Sequence, residues 1–137
     1  MMIWLFAYVG VALTMLVLDG AWLSFAAQRL YRPQLGDMLM DGFRIGPAAL
    51  FYVTYVAGVV VLAVAPGLSA DKWSVALTRG MVLGLIAYAT YDLTNQATLR
   101  RWSTLVSAAD IAWGTVLTGI AAAAGFLAVR WASSHFA

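Results

Sequence analysis

Four long, mostly apolar stretches, each near the length of about 20 residues that a helix needs to cross a bilayer, constrain this chain more than any motif in it. They cover residues 2–25, 47–65, 75–95 and 105–131. Hydrocarbon offers no water to bond a bare peptide group, so a segment inside it must satisfy its own backbone as a helix or join a closed barrel. Stretches of this length fit helices. Composition agrees: 64% of the residues are hydrophobic and 10% are charged, where a soluble domain carries about 25% charged residues. The chain is therefore expected to be all-α, one integral membrane domain over residues 1–137, folded as a four-transmembrane-helix bundle.

The connections differ in character. Residues 26–46 form the one long loop, with Arg29, Arg32, Asp37, Asp41 and Arg44, while residues 68–74 and 96–104 are short. Within the long loop Leu35, Met38 and Leu39 fall at i, i+3 and i+4, which predicts a short helix lying at the interface. Pro66-Gly67 is read as the stop of the second helix. The first stretch lacks a basic leader and is long for a signal sequence, so it is read as a retained helix. Basic residues set orientation. The first and third loops hold Arg29, Arg32, Arg44, Arg100 and Arg101, against Lys72, Arg130 and Arg79 on the other side. That bias favours loops one and three in the cytoplasm and both termini outside.

Helices packed within lipid rely on small residues that let backbones approach. Gly80 and Gly84 form a G-x-x-x-G pair in the third stretch, and Gly114, Thr118, Ala121 and Gly125 form a stripe in the fourth.

The charged residues inside the spans carry most of the functional information. An acidic side chain at a helix centre costs about 2.5–3.5 kcal/mol on insertion scales, yet Asp19, Asp92 and Asp110 all fall within apolar stretches. In an alternating four-span chain those positions approach the same face of the membrane. Tyr88, Tyr91, Asp92 and Asn95 share one helical face by their i+3 and i+4 spacings, and Tyr52 and Tyr55 open the second helix on that side. Asp19-Gly-Ala-Trp22 and Asp110-Ile-Ala-Trp113 repeat one pattern, with Asp and Trp three apart and so on one face. The two helices run in opposite directions, so the repeat fits an inverted duplication, though four residues are few enough to recur by chance. The expectation is a shared polar pocket of Asp19, Trp22, Tyr52, Tyr55, Tyr88, Tyr91, Asp92, Asn95, Asp110 and Trp113. The bland alternative is an aromatic belt with Asp residues reaching interfacial water or a loop Arg.

The run Tyr88-Ala-Thr-Tyr-Asp-Leu-Thr-Asn95, then Ala97-Thr98-Leu99 and Trp102, is distinctive. Together with Asp110-Ile-Ala-Trp-Gly114, Phe51-Tyr52, Tyr55-Val-Ala-Gly58 and Asp19-x-x-Trp22, it resembles the bacterial family catalogued as domain of unknown function 2177. The resemblance extends over nearly the whole chain. It implies a multi-pass protein of the bacterial inner membrane and assigns no activity.

Three functions fit. A binding or transport protein would hold a small cation, a proton or a lipid headgroup in the acidic pocket. A membrane enzyme acting on lipid would use the Asp groups as acid and base, or as ligands for a hard ion such as Mg²⁺, for which Asp19, Asp92 and Asp110 are the candidates. An accessory subunit would use the polar cluster to bond helices together. With no cysteine, thiolate chemistry is excluded. His135 lies two residues from the end, where tails fray. No phosphate-binding loop, HExxH or Ser-His-Asp set is present, and a net charge of +2 gives nucleic acid no footing. Membrane lipid is the expected partner, with room for a small ligand or cation and for a homo-oligomer; no cofactor is indicated. Reporter fusions after Ser69 and Ala137 should report one side of the membrane, and fusions after Asp41 and Arg101 the other. Agreement between the Ser69 and Asp41 reporters would rule out four spans.

Overall fold

Each apolar stretch closes its own backbone hydrogen bonds, and the computed structural model, which describes residues 1–136, has no strand among them. Four helical spans run Met2–Met38, Ile45–Ala70, Trp73–Thr98 and Thr104–Phe136, all long and apolar enough to cross a membrane. The first comprises α1 (Met2–Ala26), a π-helical turn (Ala27–Tyr31), α2 (Arg32–Leu35) and a 3₁₀ turn (Gly36–Met38). The second comprises α3 (Ile45–Val59), a π-helical turn (Val60–Val64) and α4 (Ala65–Ala70). The third and fourth are α5 (Trp73–Thr98) and α6 (Thr104–Phe136).

Two expectations from the sequence are corrected by the structure. Most of residues 26–46 is not loop: the first helix continues to Met38, and the predicted interfacial helix is its last turns. Nor does Pro66 stop the second helix, which runs on to Ala70. The reason is the same in both spans. A proline inside an α-helix forfeits its bond to the carbonyl four residues back and clashes with that carbonyl. Pro33 and Pro66 each sit at the start of an α segment directly after a π turn. The wider π turn moves the carbonyl four residues back away from the proline ring, which relieves the clash and lets the helix run on.

Lipid gives helices no hydrophobic reason to associate, so contact depends on fit. α6 is the central helix, its most apolar window 44% buried against 17% for the first and third spans. Its seam with α5 is the tightest in the molecule. A Cβ placed on Gly80 would meet the Thr118 carbonyl at 2.6 Å and Ala122 at 2.7 Å. One on Gly84 would strike the Gly114 carbonyl and the Thr118 side chain, and one on Gly114 would enter the Tyr88 ring. On the other face of α6, Gly125 takes Val11, and Gly10 lies against Ala128. The core around these contacts is Val11, Met15, Val56, Val59, Val64, Leu117 and Phe126 with several alanines.

The ends are tied separately. At one end Asp71, in a left-handed turn with φ 54°, pairs with Arg130. At the other, Arg101 meets Asp37 at 3.3 Å. There Ser103 Oγ caps α6 by accepting the Val106 N–H at 3.2 Å and donates to Gln34 at 2.7 Å. Residues 37 and 101 thus share one face, as the alternating topology requires.

Gly84→Leu should lower stability by about 3 kcal/mol through overpacking of the α5–α6 seam. Val82→Leu, on the outer surface of the same helix, should stay within about 0.5 kcal/mol. Thermal unfolding of both variants in detergent checks this; equal midpoints would contradict the seam.

Candidate functional site

The α5–α6 seam sets the site, because it brings Asp92 on α5 and Asp110 on α6 to the same cavity. Asp92 is fully buried (0% exposed), and neither carboxylate oxygen has a hydrogen-bond partner. Among the described residues these are the only buried side-chain polar atoms without one. Its backbone is well held: Ser107 Oγ donates to the Asp92 carbonyl at 3.4 Å, and Trp102 Nε1 donates to Ser107 Oγ at 3.0 Å. The helix is fixed while the carboxylate is left open. Burial of a charge without partners is costly, so this group stands apart from every other acid in the chain.

Asp19 is the contrast. Tyr52 donates its phenol to Asp19 Oδ2, and Trp113 Nε1 donates to Oδ1 at 3.1 Å. Asp110 Oδ1 accepts from Tyr31 at 2.7 Å, and the Tyr31 oxygen accepts from Trp22 Nε1 at 3.0 Å. The rings of Trp22 and Trp113 stack at 4.8 Å between centroids and 8° between planes. The two Asp-x-x-Trp segments therefore pack on each other and exchange partners: Asp19 takes the indole of Trp113, and Asp110 reaches that of Trp22 through Tyr31. Trp113 lies three residues further into α6 than Asp110, so Asp19 sits nearly one turn, about 5 Å, deeper.

The cavity has a volume of about 1050 Å³ and is lined by residues of all four spans and of the 39–44 loop. Asp92 and Asp110 lie on its wall with Tyr91 and Trp102, and Tyr31, Arg32, Asp41 and Arg44 complete the polar lining. A second, smaller space of about 330 Å³ opens between α3 and α5, lined by Phe51, Ala87, Tyr88, Tyr91 and Asp110. Tyr91 and Asp110 border both. Of the predicted set, Asp92, Asp110 and Tyr91 are brought together, and Tyr88 borders the smaller space. Trp22 connects to Asp110 only through Tyr31. Asp19, Tyr52 and Trp113 form the deeper cluster behind. Tyr55 is placed elsewhere: its hydroxyl pairs with Thr118 at 2.8 Å in the core, and its ring meets Tyr88 edge-on. Asn95, half-buried one turn beyond Asp92, does not line the cavity.

Among the described residues no three of His, Cys, Asp and Glu come together closely enough to hold a metal. Asp19, Asp92 and Asp110 therefore do not form one ligand set, because Asp19 is drawn deeper by Tyr52 and Trp113.

Tyr31, Arg32 and Arg44 are not among the residues the sequence points to. Nine residues separate Trp22 from Tyr31, two and a half turns of a regular α-helix, which would place them on opposite faces. The π turn at Ala27–Tyr31 takes in one extra residue and rotates the helix beyond it by about 100°. Tyr31 is swung back to meet Trp22. The signal that could have found it is Pro33, which a continuous helix accommodates with a local adjustment such as a π turn or a kink.

An ionised carboxylate only accepts hydrogen bonds, whereas a protonated one also donates. The Asp92–Asp110 wall can thus hold a cation, an ammonium group or a proton, with aromatic faces beside it. Four membrane-crossing helices around a polar, aromatic-lined cavity define an integral membrane protein whose candidate functional feature is that cavity. The family model described as "Predicted membrane protein (DUF2177)" matches residues 4–127, and the chain belongs to that family. No curated protein and no solved structure matches the chain.

Tyr31→Phe removes the hydroxyl that joins Trp22 to Asp110. It should cost about 1–2 kcal/mol of stability and change the tryptophan emission, since Trp22 loses its acceptor. Tyr8→Phe, whose hydroxyl reaches only the Val53 carbonyl, is the control. Identical emission from both variants would deny the Trp22–Tyr31–Asp110 chain.

Proposed function

We propose that this protein binds a small positively charged group in the Asp92–Asp110 cavity, as a binding or transport protein of the bacterial inner membrane. The observation that carries the reading is Asp92, fully buried, with two unpartnered carboxylate oxygens, among the residues that line a cavity of about 1050 Å³. Ionisable groups within membrane spans are expensive and face interiors or cavities where they serve a purpose. Asp19 shows how this chain treats a structural carboxylate, with both oxygens occupied by Tyr52 and Trp113. Asp92 is treated differently. In the orientation that the basic residues favour, the cavity faces the cytoplasm, and both termini lie outside.

Thermal unfolding of the purified protein in detergent, titrated with NaCl, MgCl₂ or ethanolamine, tests this. A ligand at about 100 times its dissociation constant stabilises by about 2.7 kcal/mol. At least one of the three should raise the wild-type midpoint, and none should raise that of Asp92→Asn. Asn keeps the shape and removes the charge, so the variant should fold with stability within about 1 kcal/mol of wild type. An equal response in both proteins, or a variant that merely unfolds early, would favour a structural role for Asp92.

A further inference from the structure

We propose that the charged group is the amine of an aminophospholipid headgroup, whose phosphate is held at the same time by Arg32, Arg44 and the first turn of α3. This rests on the reading of the Asp92–Asp110 wall as a site for positive charge. The cavity is not uniformly acidic. Arg32 and Arg44 line it together with Asp92 and Asp110, and Pro47 places the start of α3 on the same lining. Arg32 reaches only Asp41, at a long 3.9 Å, and Asp41 is fully exposed to solvent. Among the described residues Arg44 has no carboxylate within salt-bridge distance.

The helix start adds to this. α3 begins at Ile45 with no side-chain cap and no acidic residue in its first turn. The N–H groups of Ile45 and Gly46 (Pro47 has none) and the positive end of the dipole are therefore free for an anion, the usual way a helix receives phosphate. Guanidinium groups match phosphate oxygens in pairs. One cavity thus presents an anion subsite near the 39–44 loop and a cation subsite at Asp92 and Asp110. A ligand with one charge of each sign satisfies both, while a bare cation leaves the arginines idle and a bare phosphate leaves Asp92 open.

The rest of the lining selects lipid over a soluble phosphoamine. Leu23, Met38, Met40 and Phe43 line the cavity and are exposed, so its rim is largely apolar. The smaller space between α3 and α5, which shares Tyr91 and Asp110 with the cavity, is bordered by the surface side chain Phe51. An acyl chain leaving a bound headgroup has an apolar path into the bilayer.

Calorimetric titration of the detergent-purified protein with phosphorylethanolamine, ethanolamine and inorganic phosphate separates the parts. Phosphorylethanolamine should bind at least about tenfold more tightly than either fragment. Arg44→Gln, on a surface loop, should erase that advantage and leave ethanolamine unchanged. Asp92→Asn should weaken both amines, and Asp110→Asn repeats that arm if the first variant folds poorly. Equal binding of ethanolamine and phosphorylethanolamine, or indifference to Arg44→Gln, overturns the phosphate subsite while the carboxylate site stands. Inorganic phosphate binding as tightly as phosphorylethanolamine overturns the two-charge ligand. Amine binding that ignores both Asp variants overturns the carboxylate site itself. In a final arm, mixed micelles carrying phosphatidylethanolamine should displace phosphorylethanolamine, and micelles carrying phosphatidylglycerol should not. Failure of phosphatidylethanolamine to compete overturns the lipid and leaves a soluble phosphoamine.

Discussion

The close approach of α5 and α6 is the contact on which the rest depends. Inside a bilayer, apolar side chains gain nothing by leaving lipid for one another, so two helices stay together only where their backbones can nearly touch. Gly80, Gly84 and Gly114 make that approach, with Thr118 and Tyr88 filling the adjoining space. Asp92 lies two turns beyond Gly84 on α5, and Asp110 one turn before Gly114 on α6. Glycine packing in the centre thus fixes the spacing of two acids near the membrane surface. A wider seam would let lipid or water between them, and Asp92 would no longer be enclosed.

The three intramembrane acids divide the labour of the cluster. Asp19 accepts from a phenol and an indole, and it ties α1 to α3 and α6. Asp110 is half committed, held on one oxygen by Tyr31 and facing the cavity as well. Asp92 is uncommitted. This gradation follows from the donors within reach: Tyr52 and Trp113 meet Asp19, Tyr31 meets Asp110, and none meets the Asp92 carboxylate. A network in which every member but one is satisfied draws attention to the remaining one.

The spans were legible in the sequence because hydrocarbon permits so few solutions: long apolar stretches had to become helices. The small-residue stripes were legible for the same reason, and both G-x-x-x-G and the α6 series lie in packed interfaces. The phase of a helix beyond a π turn was not legible. A single inserted residue leaves no mark on hydrophobic periodicity, so residues 26–38 read as loop, and nothing connects Tyr31 and Arg32 to Asp110. The Asp-x-x-Trp repeat is visible as a pattern, but its meaning lies in the exchange of partners between two antiparallel helices. Nothing within either segment specifies that exchange. Tyr55 and Asn95 share the right end and faces, yet side-chain direction and the reach of Thr118 decide Tyr55 for the core.

The turn between α4 and α5 is a second close crossing, where a Cβ on Gly67 would collide with Ala76 and where Asp71 is pinned by Arg130. Mechanically it is a fulcrum. From Gly67 to Ile45 the second span extends about 33 Å, so a tilt of only about 5° at the fulcrum carries the start of α3 sideways by about 3 Å. Such a tilt would act on the gap between Phe51 and Tyr88, which border the smaller space, and not on the glycine contacts of the α5–α6 seam. The second span has the proportions of a lever arm, short at the Gly67 end and long toward the end that borders the acids.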